Sequence, residues 1–239
     1  MEISINQPSI QRKSALIAGV SLLIMVFASF FSFGFVHGNL VVEGDPNATF
    51  HNIRTSTVLF QAEILGWLMI LITDILVAWA FYLFLKPTNK YLSLLAAWFR
   101  LIYTAVLGMA ILNLLIVLLL AKSAVPNSYL PIEQVPGQMM LYLEAFQSIW
   151  SIGLLIFGGH LMMIGYMVFQ SESIPKVIGL LLLLASIGYI FINVSNLFDW
   201  QNIEIISILT AIFQIPMIAG ELGFGIWLLF KGGKLPRER

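Results

Sequence analysis

Residues 57–121 read TVLFQAEILGWLMILITDILVAWAFYLFLKPTNKYLSLLAAWFRLIYTAVLGMAILNLLIVLLLA, and this stretch decides the fold. Two apolar runs, 57–85 and 91–121, flank the short polar turn 86–90, which contains Pro87. A helix that crosses a hydrocarbon core of ~30 Å needs about 20 predominantly apolar residues, so each run is long enough to span a membrane. Because the turn is tight, we expect the two helices to be antiparallel neighbours.

Composition extends this conclusion to the whole chain. Hydrophobic residues make up 59% of the 239 positions and charged residues only 10%, whereas soluble domains carry about 25% charged residues. The chain is therefore an integral membrane protein whose general partner is the lipid bilayer. Zero net charge argues against nucleic-acid binding. The absence of cysteine excludes disulfides and cysteine-ligated metals, and we predict no metal and no cofactor.

The same length criterion predicts a single all-α membrane domain over residues 1–239, a bundle of six transmembrane helices. The spans lie near 14–36, 57–85, 91–121, 141–169, 176–198 and 204–230. The turn at 171–175 predicts that the fourth and fifth spans also pair. We expect residues 124–138, which include three prolines, to be extended, and Thr49 to cap an early start of the second span.

Basic residues predict the orientation of the bundle. Of the 12 lysines and arginines, nine fall on the side of the termini, two (Arg54 and Lys122) fall on the other side, and Arg100 lies within a span. Cytoplasmic loops are enriched in lysine and arginine, so both termini are expected in the cytoplasm of a bacterial cell, with the chain in the plasma membrane.

Four ionisable residues, Asp74, Arg100, His160 and Glu221, occupy four different spans at nearly the same depth. Each lies ten to twelve residues from the inner end of its span, which is roughly 15–18 Å and close to the bilayer midplane. A charge there costs roughly 2.5–3.5 kcal/mol on insertion scales, so such residues normally face a partner. We predict one polar cluster, with Asp74 and Arg100 ion-paired. His160 and Glu221 would form a second pair, or all four would share a network.

Spacings of seven or eleven residues return to the same helix face and predict a secondary polar seam. Its members are Glu63, Tyr189, Asn193 and Gln214. Facing inward, these side chains would line a path from the outer face to the midplane. The alternative is that they hydrogen-bond between helices and only hold them together, at about 0.6 kcal/mol each.

Several short motifs resemble a known family in content and order. They are GDP at 44–46, FRL at 99–101, FGGHLMMIGY at 157–166, SIPKVIG at 173–179 and GE at 220–221. The chain resembles the bacterial multi-pass membrane family catalogued as domain of unknown function 4386. That resemblance implies a bacterial membrane protein and supplies no activity.

Three functions are compatible with the four midplane residues, which are ligand-binding or proton-relay candidates. The first is a transporter-like or ligand-binding protein for a small molecule, an ion or a lipid. Net charge in the cluster is −1 with neutral histidine and zero with charged histidine, which favours sensitivity to protons.

The second function, less favoured, is an intramembrane enzyme with His160 and Glu221 as an acid–base pair. The third is a structural or regulatory protein whose buried charges only fix helix packing. We assign no catalytic residue.

Overall fold

The computed structural model describes residues 9–123, 131–198, 200 and 204–233. The helices of this part are α1 (Ile10–Leu40), α2 (Pro46–Thr55), α3 (Thr57–Leu85), α4 (Lys90–Ser123), α5 (Val135–Gln170), α6 (Lys176–Leu197) and α7 (Glu204–Phe230). All except α2 are long and apolar enough to cross a membrane. The predicted fold class, an all-α bundle of six membrane-length helices, is confirmed.

The six long helices form a ring in chain order. Each packs against the next, and α1 closes the ring by packing against α7. The predicted neighbours, α3 with α4 and α5 with α6, are therefore in contact. Because the spans alternate in direction, the start of α1 and the end of α7 lie at the same face of the bundle. We call this the proximal face and the opposite one the distal face.

Helix α1 changes its hydrogen-bonding pattern on the distal side. It is α-helical over Ile10–Ser29, π-helical over Phe30–His37 and α-helical again over Gly38–Leu40. The first span thus continues past its predicted end at residue 36, and His37 is buried in the bundle. Short π-helical segments inside α-helices are frequent at functional sites.

The distal connections differ from the prediction. Asp45 accepts a hydrogen bond from the Ala48 amide at 2.9 Å and caps a separate helix, α2. The Thr49 hydroxyl instead accepts from the Val42 amide at 2.9 Å, so the prediction that it caps the second span is wrong. Helix α5 starts at Val135, with Pro136 in its first turn, where a helix needs no amide donor. A 3-10 turn at Ile132–Gln134 leads into α5, so the predicted extended segment is wrong from 132 onward, and residues 124–130 lie outside the described chain.

Arg12 joins the proximal ends of α1 and α7. Its Nη1 donates to the carbonyls of Leu228 and Gly232 at 3.1 and 2.9 Å, and Nη2 donates to that of Leu229 at 2.7 Å. The last carbonyls of a helix lack intrahelical partners, and a cation is favourable at that end. Arg12 therefore helps to close the ring.

Replacing Arg12 with alanine should lower the free energy of unfolding by about 1–2 kcal/mol, because three carbonyls lose a charged donor. Unfolding of the purified chain in detergent measures the change. Lys13→Ala is the matched control, since Lys13 is exposed and next in sequence. Equal stability of the two variants would contradict the assigned role of Arg12.

Candidate functional site

Arg100 of α4 forms the centre of the midplane cluster. Its Nε donates to Asp74 Oδ1 at 2.8 Å, and its Nη2 lies 2.6 Å from the same oxygen. The predicted ion pair is confirmed, because the short turn between α3 and α4 places both residues at one depth. Both side chains are sealed, at 1% and 0% exposure. Asp74 Oδ2 has no hydrogen-bond partner within the described chain.

His160 of α5 is fixed by two hydrogen bonds. Its Nε2 lies 3.2 Å from Arg100 Nη1, and its Nδ1 lies 2.8 Å from the Ala96 carbonyl oxygen. A guanidinium only donates hydrogen bonds and a carbonyl only accepts them. His160 Nε2 must therefore accept, and Nδ1 must carry the proton, which defines a neutral imidazole.

Two aromatic rings enclose this triad of Asp74, Arg100 and His160. The guanidinium carbon of Arg100 lies 5.8 Å from the centroid of Phe81 and 5.2 Å from that of Phe157. The His160 ring stacks on the same two rings at 6.0 and 5.6 Å. Cations are attracted to aromatic faces at such distances. The rings thus stabilise the charge and exclude water from it.

Glu221 of α7 stands apart from the triad. Its Oε1 accepts a hydrogen bond from the Tyr189 hydroxyl of α6 at 2.7 Å, and the residue is partly exposed. Within the described residues Glu221 forms no ion pair. The alternative of a His160–Glu221 pair is therefore wrong. Of the predicted network of all four residues, the described hydrogen bonds join Asp74, Arg100 and His160, whereas Glu221 bonds to Tyr189.

Arg100 and Glu221 nevertheless line the same small cavity. Its volume is about 10 Å³, which is about the space that one water molecule requires. The remaining lining is apolar: Leu22, Phe81, Leu161, Ile164, Leu182 and Phe224. Together with Arg100 and Glu221, these side chains come from all six membrane helices, so the cavity lies at the centre of the bundle.

The four residues of the secondary seam differ in burial and in contacts. Glu63 and Asn193 are buried, Tyr189 contacts Glu221, and Gln214 is exposed. Gln214 is exposed in the distal half of α7, where Ala211, Ile212 and Ile215 are exposed too, so it does not join the buried members of the seam. The Asn193 amide donates to the Tyr189 carbonyl of its own helix at 2.8 Å, so this hydrogen bond does not join two helices.

A second polar cluster, missed by the sequence analysis, lies nearer the distal face. His37 Nδ1 is 2.9 Å from Glu63 Oε1, and His37 Nε2 is 3.3 Å from Gln147 Nε2. Ser32 also donates to the Glu63 carbonyl oxygen at 3.1 Å. The sequence signal was an apolar run that continues to Val36 directly before His37. The first span was predicted to end at residue 36, so His37 fell just outside it.

Metal binding has no support in the described ranges. Nowhere in 9–123, 131–198, 200 or 204–233 do three or more His, Asp or Glu side chains form a group that could hold an ion.

Comparison with known proteins places the chain in a family. It is 31% identical over 173 residues to an uncharacterized protein of Archaeoglobus fulgidus, and the match covers 72% of this chain and 85% of that protein. No solved structure matches the chain. A family model matches residues 17–232, which include all four midplane residues. The chain belongs to the family described as Domain of unknown function (DUF4386).

Proposed function

We propose that this chain is a transporter-like or ligand-binding protein of the plasma membrane, in which Glu221 binds a proton or the cationic group of a ligand. The difference in burial within the midplane cluster carries this proposal. Asp74, Arg100 and His160 are 0%, 1% and 0% exposed. Glu221 is partly exposed and faces the cavity. The sealed triad acts as a fixed frame, and the accessible carboxyl group exchanges with its surroundings.

Charge balance supports the same assignment. Asp74 and Arg100 cancel, and His160 is neutral in its hydrogen-bonded form, so an ionised Glu221 adds an unbalanced charge. Such a charge at the midplane costs several kcal/mol. A bound proton, or a cationic group of a ligand, removes that cost. The Tyr189 hydroxyl can donate or accept, so it serves Glu221 in either state.

Helix α7 is suited to control access to Glu221. Pro216 lies inside it, five residues before Glu221, and proline removes one backbone hydrogen bond. This helix is also the least buried of the six spans, so its movement disrupts little packing. Helix α7 is continuous through Pro216, so the proline provides a point where the helix can bend and not a break. The excess of basic residues on the proximal side supports a cytoplasmic location for that face.

Labelling with a hydrophobic carbodiimide tests the proposal. The reagent reacts with protonated carboxylic acids in apolar surroundings. It leaves a covalent adduct, and peptide mapping by mass spectrometry identifies the residue that carries it. We expect Glu221 to carry at least roughly tenfold more label than Asp74, because a sealed group reacts only after local opening. Labelling of Glu221 should decrease as the pH rises. Glu221→Gln should abolish it, with Asp74 labelling as the internal control.

A structural role is the second candidate, favoured by the complete enclosure of the triad. In that case Glu221 only fixes α6 against α7 through Tyr189. Glu221→Gln and Tyr189→Phe would then destabilise the fold, and Glu221 would resist the carbodiimide as Asp74 does. That result would overturn the ligand-binding proposal. An enzyme using His160 finds no support, since His160 is sealed from any substrate.

A further inference from the structure

The distal cluster contains a histidine–carboxylate pair that the midplane site does not use. His37 of α1 and Glu63 of α3 have side chains only 7% and 0% exposed. Gln147 of α5, which lies 3.3 Å from His37 Nε2, is exposed at the surface. The three residues thus link the interior of the bundle to its exterior.

Depth places this link at the distal boundary of the membrane. Glu63 lies eleven residues before Asp74, which is roughly 16 Å along α3. Gln147 lies thirteen residues before His160, which is roughly 20 Å along α5. Since half of the hydrocarbon core is about 15 Å, Gln147 reaches the headgroup region, where water is available.

Glu63 is incompletely paired. Its Oε2 and the Trp67 indole N–H have no hydrogen-bond partner in the described part of the chain. The Trp67 ring packs 5.2 Å from Phe146 and 6.4 Å from Phe33, so the surroundings are aromatic. A buried carboxylate in such surroundings requires a counter-charge.

The neighbouring helices supply no other counter-charge. On α2, His51 and Arg54 are exposed, and on α5, Glu144 is exposed. Among the described residues, the ion pair of Glu63 is with His37 alone, and no lysine or arginine approaches either residue to pairing distance. With a neutral imidazole, the pair therefore holds one uncompensated negative charge.

We propose that His37, Glu63 and Gln147 form a proton-binding site that takes up one proton from the aqueous phase at the distal face. The proton converts a neutral imidazole beside a carboxylate into an imidazolium–carboxylate pair, and the buried net charge falls from −1 to zero. Histidine is the side chain whose charge changes between pH 5 and 8. The site is separate from Glu221 and does not depend on the function proposed for it.

Gln147 allows both protonation states of His37. A side-chain amide offers a donor and an acceptor, so it can donate to a neutral Nε2 or, after rotation, accept from a protonated one. Gln147 is exposed, so its amide can rotate without displacing core residues. His160 provides the contrast, because its Nε2 faces the guanidinium of Arg100, which can only donate. Protonation is thus possible at His37 and blocked at His160.

Nitrogen NMR of the full chain tests this site directly, since the protein has only three histidines. In ¹⁵N-histidine-labelled protein, the nitrogen shifts report the charge of each imidazole. We expect His37 to change from neutral to charged as the pH is lowered, while His160 stays neutral. Exposed His51 is the reference. In Glu63→Gln, His37 should stay neutral over the same range, because its counter-charge is gone.

Two variants at Gln147 keep the test decisive if Glu63→Gln fails to fold. Gln147 is exposed, so neither Gln147→Glu nor Gln147→Lys should disturb the core. The transition of His37 should occur at least roughly one pH unit higher with glutamate than with lysine. A His37 that stays neutral in the parent and both variants until unfolding, or a transition that neither variant moves, would overturn the proposal. Glu221→Gln should leave the His37 transition unchanged, which separates the two sites.

Discussion

Replacing Arg100 with alanine is expected to lower the free energy of unfolding by about 3–5 kcal/mol, the largest loss within the midplane cluster. The variant leaves the buried Asp74 without a counter-charge and His160 Nε2 without a donor. It also empties the space beside Phe81 and Phe157. Folded proteins are stable by only about 5–15 kcal/mol, so this loss should be visible as poor recovery and a low unfolding midpoint in detergent.

Three comparisons separate charge from volume in this prediction. Arg100→Lys keeps the charge but cannot contact Asp74 and His160 with the same planar geometry, so an intermediate loss is expected. The double variant Asp74→Ala/Arg100→Ala should lose less than the sum of the single variants, because no charge remains unpaired. Glu221→Gln, outside the triad, should cost under about 1 kcal/mol. If Arg100→Ala is as stable as Glu221→Gln, the triad does not support the fold.

The six-helix architecture was predictable because apolar length alone defines a membrane span. Backbone groups in lipid must find partners inside the helix, so a long apolar run has one conformation. Turns such as 86–90 then determine which spans are neighbours. The helix ends were less predictable. Asp45 caps α2 and His37 pairs with Glu63 through individual hydrogen bonds, which hydropathy does not reveal.

The midplane cluster was predictable in depth but not in pairing. Counting residues gives depth, and the tight turn between α3 and α4 brings Asp74 to Arg100. The partner of His160 depends on how α4, α5 and α7 rotate about their own axes, and packing sets that rotation. Packing, which the sequence does not show, also determines the exposure of Gln214. Its spacing of seven residues from Glu221 places both on one face of α7, but Gln214 is exposed whereas Glu221 is only partly exposed.

The pairing of His37 with Glu63 near the distal face could not be predicted from the sequence, for a different reason. Glu63 was assigned to a polar seam, and its burial at 0% exposure agrees with an inward direction. Its partner His37 was not predicted, because His37 directly follows the apolar run FFSFGFV at 30–36, where the first span was expected to end. A histidine just beyond an apolar run is usually a loop residue. Only the π-helical segment, which continues α1 past that run, brings His37 to Glu63.

Replacing Gly179 with valine is expected to cost about 3 kcal/mol, the second large effect. A Cβ atom at this position of α6 would lie 2.6 Å from the Phe169 amide nitrogen and 2.7 Å from its Cα. These are backbone atoms of α5, so no side chain can rotate away. Gly165 makes the reciprocal contact, with its Cβ position 2.9 Å from the Leu183 nitrogen. Small residues allow such close approach of membrane helices.

Gly223→Ala is the matched control for this prediction, because a Cβ atom there meets nothing within 4 Å. Alanine is a better helix former than glycine, so this variant should be more stable by about 0.5–1 kcal/mol. Unfolding in detergent measures both variants. A loss at Gly223 equal to that at Gly179 would show that backbone contact between α5 and α6 is not the cause.

Separation of α5 and α6 should also alter the candidate site. Helix α5 carries His160 and α6 carries Tyr189, the hydrogen-bond partner of Glu221. A valine side chain at position 179 should move the two helices apart. The Tyr189 hydroxyl should then no longer hold Glu221 in one position. We therefore expect the carbodiimide to discriminate less between Glu221 and Asp74 in Gly179→Val, whereas Gly223→Ala should keep the parent ratio. An unchanged ratio in Gly179→Val would mean that the packing of α5 on α6 supports the fold without positioning Glu221.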